Sequence, residues 1–149
     1  MIAGHHLNTL TMRSIICRQG ALLILILVFA YAATSKLLDL PAFRYQLAES
    51  PSLQEWARPL SWILPLIELA TAGLMLFTWT KRAGLFCSAL MLTIFTLYLS
   101  IMLAGHRRLP CSCGGLIASL SWKTHILFNL GLILLTGLAW QADAPEAAG

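Results

Sequence analysis

The chain has 149 residues, of which 58% are hydrophobic and only 11% are charged. A soluble domain is typically about 45–50% apolar and about 25% charged, so this composition excludes a water-soluble globular domain and predicts an integral membrane protein. The net charge of +4 would suggest nucleic-acid binding in a soluble protein. Here the basic residues flank apolar segments, where they commonly orient and anchor spans. We therefore expect a lipid bilayer around the chain and no nucleic-acid partner.

Four apolar segments occupy most of the sequence. Residues 19–35, 83–105 and 124–142 carry no charged side chain, and residues 59–80 carry one, Glu68. A spanning helix needs about 20 predominantly apolar residues, and its backbone groups must be paired within the segment. The sequence therefore predicts an all-α, integral membrane four-helix bundle forming a single domain, 1–149. Its expected helices are approximately 20–38, 60–79, 83–104 and 122–140, followed by a disordered tail, 141–149.

Turn and cap signals mark the connectors. The first helix should end before Pro41, which cannot continue it. In the connector 40–59, Ser50-Pro51 is a start signal, and the spacing of Leu53, Trp56 and Leu60 predicts a short interfacial helix. Ser121 is the expected N-cap of the last helix.

The N-terminal segment has an alternative interpretation. Arg13 and Arg18, an apolar run and then Ala30-Tyr31-Ala32 are typical of a secretory signal with an A-x-A cleavage site. The helical apolar pattern continues past that site to Leu38, which favours a retained first span.

Basic residues leave the orientation open. Of the Lys and Arg residues near helix ends, four lie in the N-terminal segment and the second connector, and six lie on the opposite side of the membrane. The raw count opposes a cytoplasmic N-terminus, whereas the two arginines just before the first span favour one, because the first helix usually dominates.

The third connector carries the strongest candidate site, Cys111-Ser112-Cys113. Two cysteines one residue apart can close a small, tight disulfide, and strained disulfides are the more labile and catalytic ones. We predict that Cys111 and Cys113 are catalytic redox residues. Nearby positive charge favours the reactive thiolate; the supporting residues are His106, Arg107 and Arg108.

Two other interpretations of these cysteines stay open. They form a static bridge or two ordinary loop thiols, or they bind Cu(I) or Zn together with His106 or His125. The spacing matches no recognised zinc pattern, so we expect no metal site. Cys17 and Cys87 lie at the opposite membrane face and are most simply small apolar fillers.

Glu68 is the second candidate, because an ionisable residue in a span is a functional hypothesis with a partner to be named. Lys36, at the end of the first helix on the same side, is that partner. The depths differ by about six residues, or about 9 Å, and a lysine stem can cover much of that gap. This intramembrane ion pair is either functional or a structural lock between two helices; in both cases Glu68 should face the bundle.

Helix four presents a polar face containing His125 and Asn129, in register with Trp122 and Thr136. Beneath the cysteine loop, these two side chains could hydrogen-bond a thiolate, bind a quinone carbonyl or shuttle a proton. Interhelical polar packing is the alternative.

These residues together resemble a known family. Ala33-Thr34-Ser35-Lys36-Leu37, with Phe43 following, and Pro65-Leu66-Ile67-Glu68 resemble patterns of DoxX-like membrane proteins. The segment from Arg108 to Gly115, RLPCSCGG, followed by a last helix, resembles the MauE branch, the methylamine utilisation accessory proteins. Members commonly carry an aromatic residue just before the loop glycine, whereas Gly114 follows Cys113 directly here.

The resemblance implies a bacterial inner-membrane bundle that supports thiol–disulfide maturation of periplasmic proteins, such as the disulfide-rich small subunit of methylamine dehydrogenase. It implies a periplasmic thioredoxin-like partner, a periplasmic C-x-C loop and cytoplasmic termini. If electrons pass onward, a partner or a quinone must accept them. The alternatives are a non-catalytic structural subunit of a DoxX-like complex and a Cu- or Zn-handling membrane protein.

Overall fold

The computed structural model of the chain describes residues 3–50, 52–105 and 122–141. Its α-helices are α1 (Ala3–Leu38), α2 (Leu40–Glu49), α3 (Ala57–Leu76), α4 (Lys81–Ala104) and α5 (Trp122–Gln141), and a 3₁₀ turn covers Gln54–Trp56. Four segments are long and apolar enough to cross a membrane: Gln19–Leu38, Gln54–Leu76, Lys81–Ala104 and Lys123–Gln141. The predicted all-α bundle with four spans is confirmed.

Successive long helices pack antiparallel. α1 contacts α3 and α5, and α4 contacts α3 and α5, so the four spans form a closed ring. The core between them is apolar, with Leu25 of α1 and Leu85 of α4 fully buried. Large apolar side chains also cover the outside of the bundle, among them Leu27, Leu97 and Leu134. Such an outer surface suits hydrocarbon rather than water.

The helix boundaries differ from the expected ones at several points. The first span, Gln19–Leu38, agrees with the predicted helix 20–38, but α1 itself begins at Ala3 and extends the helix before the span. α3 begins at Ala57 and ends at Leu76, three residues earlier than predicted at each end, and extended backbone at Phe77 ends it. α4 begins at Lys81 rather than at residue 83. The predicted N-cap, Ser121, and the predicted tail beyond Gln141 lie outside the described residues.

The short helix of the first connector lies earlier than predicted. α2 starts at Leu40, directly after α1, because Pro41 fits the first turn of a helix and the Asp39 carboxylate accepts a hydrogen bond of 3.3 Å from the Ala42 amide. The expected helix around Leu53 is instead the 3₁₀ turn that leads into α3. Phe43 and Leu47 of α2 pack on Ala57 of α3, so α2 covers one end of the bundle.

Gly84 permits the closest contact between α3 and α4. A Cβ atom there would lie 2.8 Å from Met75 Cγ, 2.9 Å from the Met75 backbone nitrogen and 3.1 Å from the Leu74 carbonyl carbon. A flexible side chain can move away, but the helix backbone cannot do so without separating the two helices.

Gly84→Ala should therefore destabilise the bundle by about 1–3 kcal/mol, the usual cost of overpacking. Gly137→Ala is the matched control, because nothing lies within 4 Å of its added methyl group and alanine is the better helix former. Unfolding in mixed micelles of increasing SDS content would measure both. Equal stability of the two variants would contradict the close packing.

Candidate functional site

A buried ion pair joins α1 to α3. Lys36, in the last turn of α1, donates hydrogen bonds from Nζ to Glu68 Oε1 at 2.6 Å and to Oε2 at 2.8 Å. The same ammonium lies 3.4 Å from the Ala32 carbonyl oxygen of its own helix. A lysine has three N–H donors, and the structure gives this one three acceptor oxygens. The structure thus brings together the two residues that the sequence paired.

Burial makes the pairing necessary. The Lys36 and Glu68 side chains are 8% and 14% exposed, so neither charge has much contact with the surroundings. An isolated charge in such a position costs several kcal/mol, and the opposite charge compensates much of it. Lys36 Nζ also lies 5.8 Å from the centre of the Phe43 ring, a cation–π contact that ties α2 to the pair. One ammonium group therefore contacts three helices.

The ion pair forms part of the wall of a cavity of about 450 Å³. All five helices contribute to the lining, which is mostly apolar. This volume lies within the range of about 300–1,000 Å³ that small-molecule sites occupy, and such sites also combine an apolar wall with a few polar groups. The polar lining residues are Lys36, Gln46, Ser50, Glu68, Tyr98, His125 and Asn129.

His125 and Asn129 lie one turn apart on α5 and both line the cavity. The His125 ring lies 5.7 Å from the Phe95 ring, centre to centre, at a tilted angle of 51°. Asn129 is 4% exposed, and its Nδ2 atom has no hydrogen-bond partner within the part of the chain that the structure describes. A buried N–H donor without an acceptor destabilises a protein. The Asn129 amide is therefore a donor in the cavity wall that a ligand could satisfy. Thr136, on the same face, donates to the Leu132 carbonyl at 2.8 Å.

Sequence reasoning missed two contributors to the cavity. Tyr98 of α4 hydrogen-bonds to Ser50 through their hydroxyl groups, which links the end of α2 to α4 across 48 positions of sequence. Phe43 entered only as part of a family pattern, although its ring lies against Lys36. Neither residue carries a local sequence signal, because the contacts arise from packing.

Cys87 is a free, partly buried thiol in α4.

The cavity lies towards the end of the bundle at which α1 and α4 finish and α5 starts. Residues 106–121 join α4 to α5 at this end, and they include Cys111 and Cys113. These two cysteines, together with His106, Arg107 and Arg108, lie outside the described residues. Their predicted roles, and a metal site built from them, therefore stay predictions. Within the three described ranges no three His, Cys, Asp or Glu side chains are grouped as metal ligands.

The fold and the cavity define a multi-pass, four-helix membrane protein with a buried ion pair at one end of the bundle. Residues 13–142 match the family model of the methylamine utilisation protein MauE. The chain therefore belongs to the MauE family, and it is an accessory membrane protein of the methylamine utilisation type. Comparison with the curated proteins and with the solved structures gives no match.

Removing either member of the ion pair should destabilise the bundle strongly. Lys36→Met or Glu68→Leu leaves one buried charge uncompensated, at a cost of about 3–5 kcal/mol, whereas the double variant should lose much less than the sum. Unfolding of the four proteins in SDS-containing micelles gives the coupling energy. Lys123→Met, at an exposed lysine of α5, is the control and should be nearly neutral. Additive losses would show that the two charges do not interact.

Proposed function

We propose that this chain is a bacterial inner-membrane thiol–disulfide carrier that supports the maturation of periplasmic proteins, with Cys111 and Cys113 as its redox pair. The observation that supports this most is topological. The connector that carries the C-x-C sequence joins the ends of α4 and α5 beside the polar end of the cavity. Membership of the MauE family agrees with such an accessory role.

The proposed reaction is thiol–disulfide exchange. A client thiolate attacks the Cys111–Cys113 disulfide and forms a mixed disulfide, which a second client thiol resolves. The client loses two electrons and two protons and gains one disulfide, and the carrier becomes a dithiol. His106, Arg107 and Arg108 would favour the thiolate form of the released cysteine. A partner protein or a quinone then has to reoxidise the pair.

The proposed orientation places the C-x-C loop in the periplasm and both termini in the cytoplasm. Arg13 and Arg18, which precede the first span, support a cytoplasmic N-terminus. Four spans return the chain to the side on which it started. The family resemblance supports a thioredoxin-like periplasmic partner and, as client, a disulfide-rich subunit of the methylamine dehydrogenase type.

A structural role is the second candidate, and the buried ion pair favours it. In a non-catalytic subunit of a membrane complex, Lys36 and Glu68 would hold the bundle in the shape that its partners recognise. Such a protein would lose assembly with Glu68→Gln and would tolerate replacement of both loop cysteines. A thiol–disulfide carrier should instead lose its function when either loop cysteine is replaced.

Cys111→Ser and Cys113→Ser should each abolish disulfide formation that depends on this protein, because one cysteine cannot form the intramolecular disulfide. The measurement is the fraction of alkylatable thiols in a co-produced disulfide-rich client, resolved by mass. Cys87→Ser is the matched control and should behave as the wild type, since Cys87 lies within α4. A fully oxidised client in the presence of Cys111→Ser would refute the carrier role.

A further inference from the structure

The amide of Asn129 lacks a hydrogen-bond acceptor among the described residues. This side chain is 4% exposed and lines the cavity, and no atom of residues 3–50, 52–105 or 122–141 accepts a hydrogen bond from its Nδ2. A buried polar group of this kind usually has a partner. The natural complement of an amide N–H is a carbonyl oxygen, so a ligand of this cavity should carry one.

The charge balance of the cavity favours a neutral ligand. The ammonium of Lys36 and the carboxylate of Glu68 compensate each other at 2.6 Å, so the pair offers no net charge to an ionic ligand. A charged molecule entering this apolar space would lose its hydration without gaining a counter-ion.

The shape of the lining favours a flat ring. Five aromatic side chains line the cavity, and they come from four different helices: Phe29, Phe43, Phe95, Tyr98 and Phe128. Aromatic side chains pack against another ring in stacked or edge-to-face arrangements that add to the simple burial of area.

The cavity also reaches the outer surface of the bundle. Ile67 of α3 and Ile94 of α4 line the cavity, yet they are 44% and 60% exposed. α3 and α4 are neighbours in the bundle, and their outer faces are apolar, so this opening faces the lipid. A ligand that enters there has to be soluble in the membrane.

We propose that the cavity binds a membrane quinone, with a ring carbonyl oxygen accepting a hydrogen bond from Asn129 Nδ2 and the ring held among the aromatic side chains. A quinone is neutral, flat, soluble in lipid and bears carbonyl oxygens. His125 lies one helical turn from Asn129 and lines the same cavity.

Binding at the cavity stands independently of the cysteines, whereas a redox role for the quinone rests on the proposed function. In that role the Cys111 and Cys113 thiols lose two electrons and two protons and form a disulfide. The quinone accepts the two electrons and the two protons and becomes a hydroquinone. If the cavity binds a membrane quinone, that quinone is the chemical class of the electron acceptor.

The test is photolabelling of the purified full chain in phosphatidylcholine nanodiscs with an azidoquinone, in competition with ubiquinone-1. Wild-type protein should be labelled on peptides of α4 and α5 that line the cavity. In Asn129→Leu the ubiquinone-1 concentration that halves the labelling should rise about tenfold, because one buried hydrogen bond is lost. Thr136→Val, a buried hydroxyl on the same helix that lies away from the cavity lining, should leave it unchanged.

A second variant guards against an effect of misfolding. Ile94→Trp places a larger side chain at an exposed position, where the fold should tolerate it. Because the larger side chain narrows the opening of the cavity, the labelling that ubiquinone-1 can displace should decrease. Labelling that ubiquinone-1 does not displace, as expected if lipid chains fill the cavity, would overturn the proposal. Unchanged competition in Asn129→Leu would do the same.

The same samples separate this inference from the proposed function. A Cys111→Ser/Cys113→Ser variant should bind quinone normally. If quinone binding persists and clients are oxidised without the cysteines, only the carrier role falls. If binding is absent while client oxidation depends on the cysteines, only the quinone site falls.

Discussion

The contact between Lys36 and Glu68 is the constraint on which this structure depends. Ionisable side chains within membrane spans usually pair with another polar group, and here the partner of Glu68 is the ammonium of Lys36 in the last turn of the neighbouring span. The pair fixes the relative height of α1 and α3. Phe43, whose ring lies 5.8 Å from the ammonium, extends this constraint to α2. This end of the bundle is therefore organised around an ion pair as well as around apolar packing.

The buried ion pair lies at one end of the bundle, and the two ends differ in how they are packed. The core near Leu25 and Leu85 is filled with side chains, whereas the space around the ion pair remains a cavity of about 450 Å³. This division gives the two ends of the molecule different tasks. The filled end is stabilised by apolar packing, and the open end presents polar groups close to where α4 finishes and α5 starts.

The sequence predicted those parts of the molecule that depend on local pattern. Runs with no charge or one charge located all four spans, and the shared side and similar depth of two helices identified Lys36 as the partner of Glu68. The first helix ends before Pro41 as predicted, but the sequence did not predict α2 directly after it, where Pro41 fits the first turn and Asp39 caps the helix. The cavity could not be predicted, because its lining comes from all five helices and from contacts such as that between Tyr98 and Ser50, which only packing creates.

The most direct test of the central claim, an oxidised cysteine pair exposed on the outer face, is maleimide labelling of intact cells with a membrane-impermeant reagent. In a Cys17→Ser/Cys87→Ser background only Cys111 and Cys113 can react. An oxidised pair in the periplasm should show no labelling before treatment with a reductant and labelling of both cysteines after it. Labelling that appears only when the membrane is permeabilised would place the loop in the cytoplasm and contradict the proposed periplasmic role.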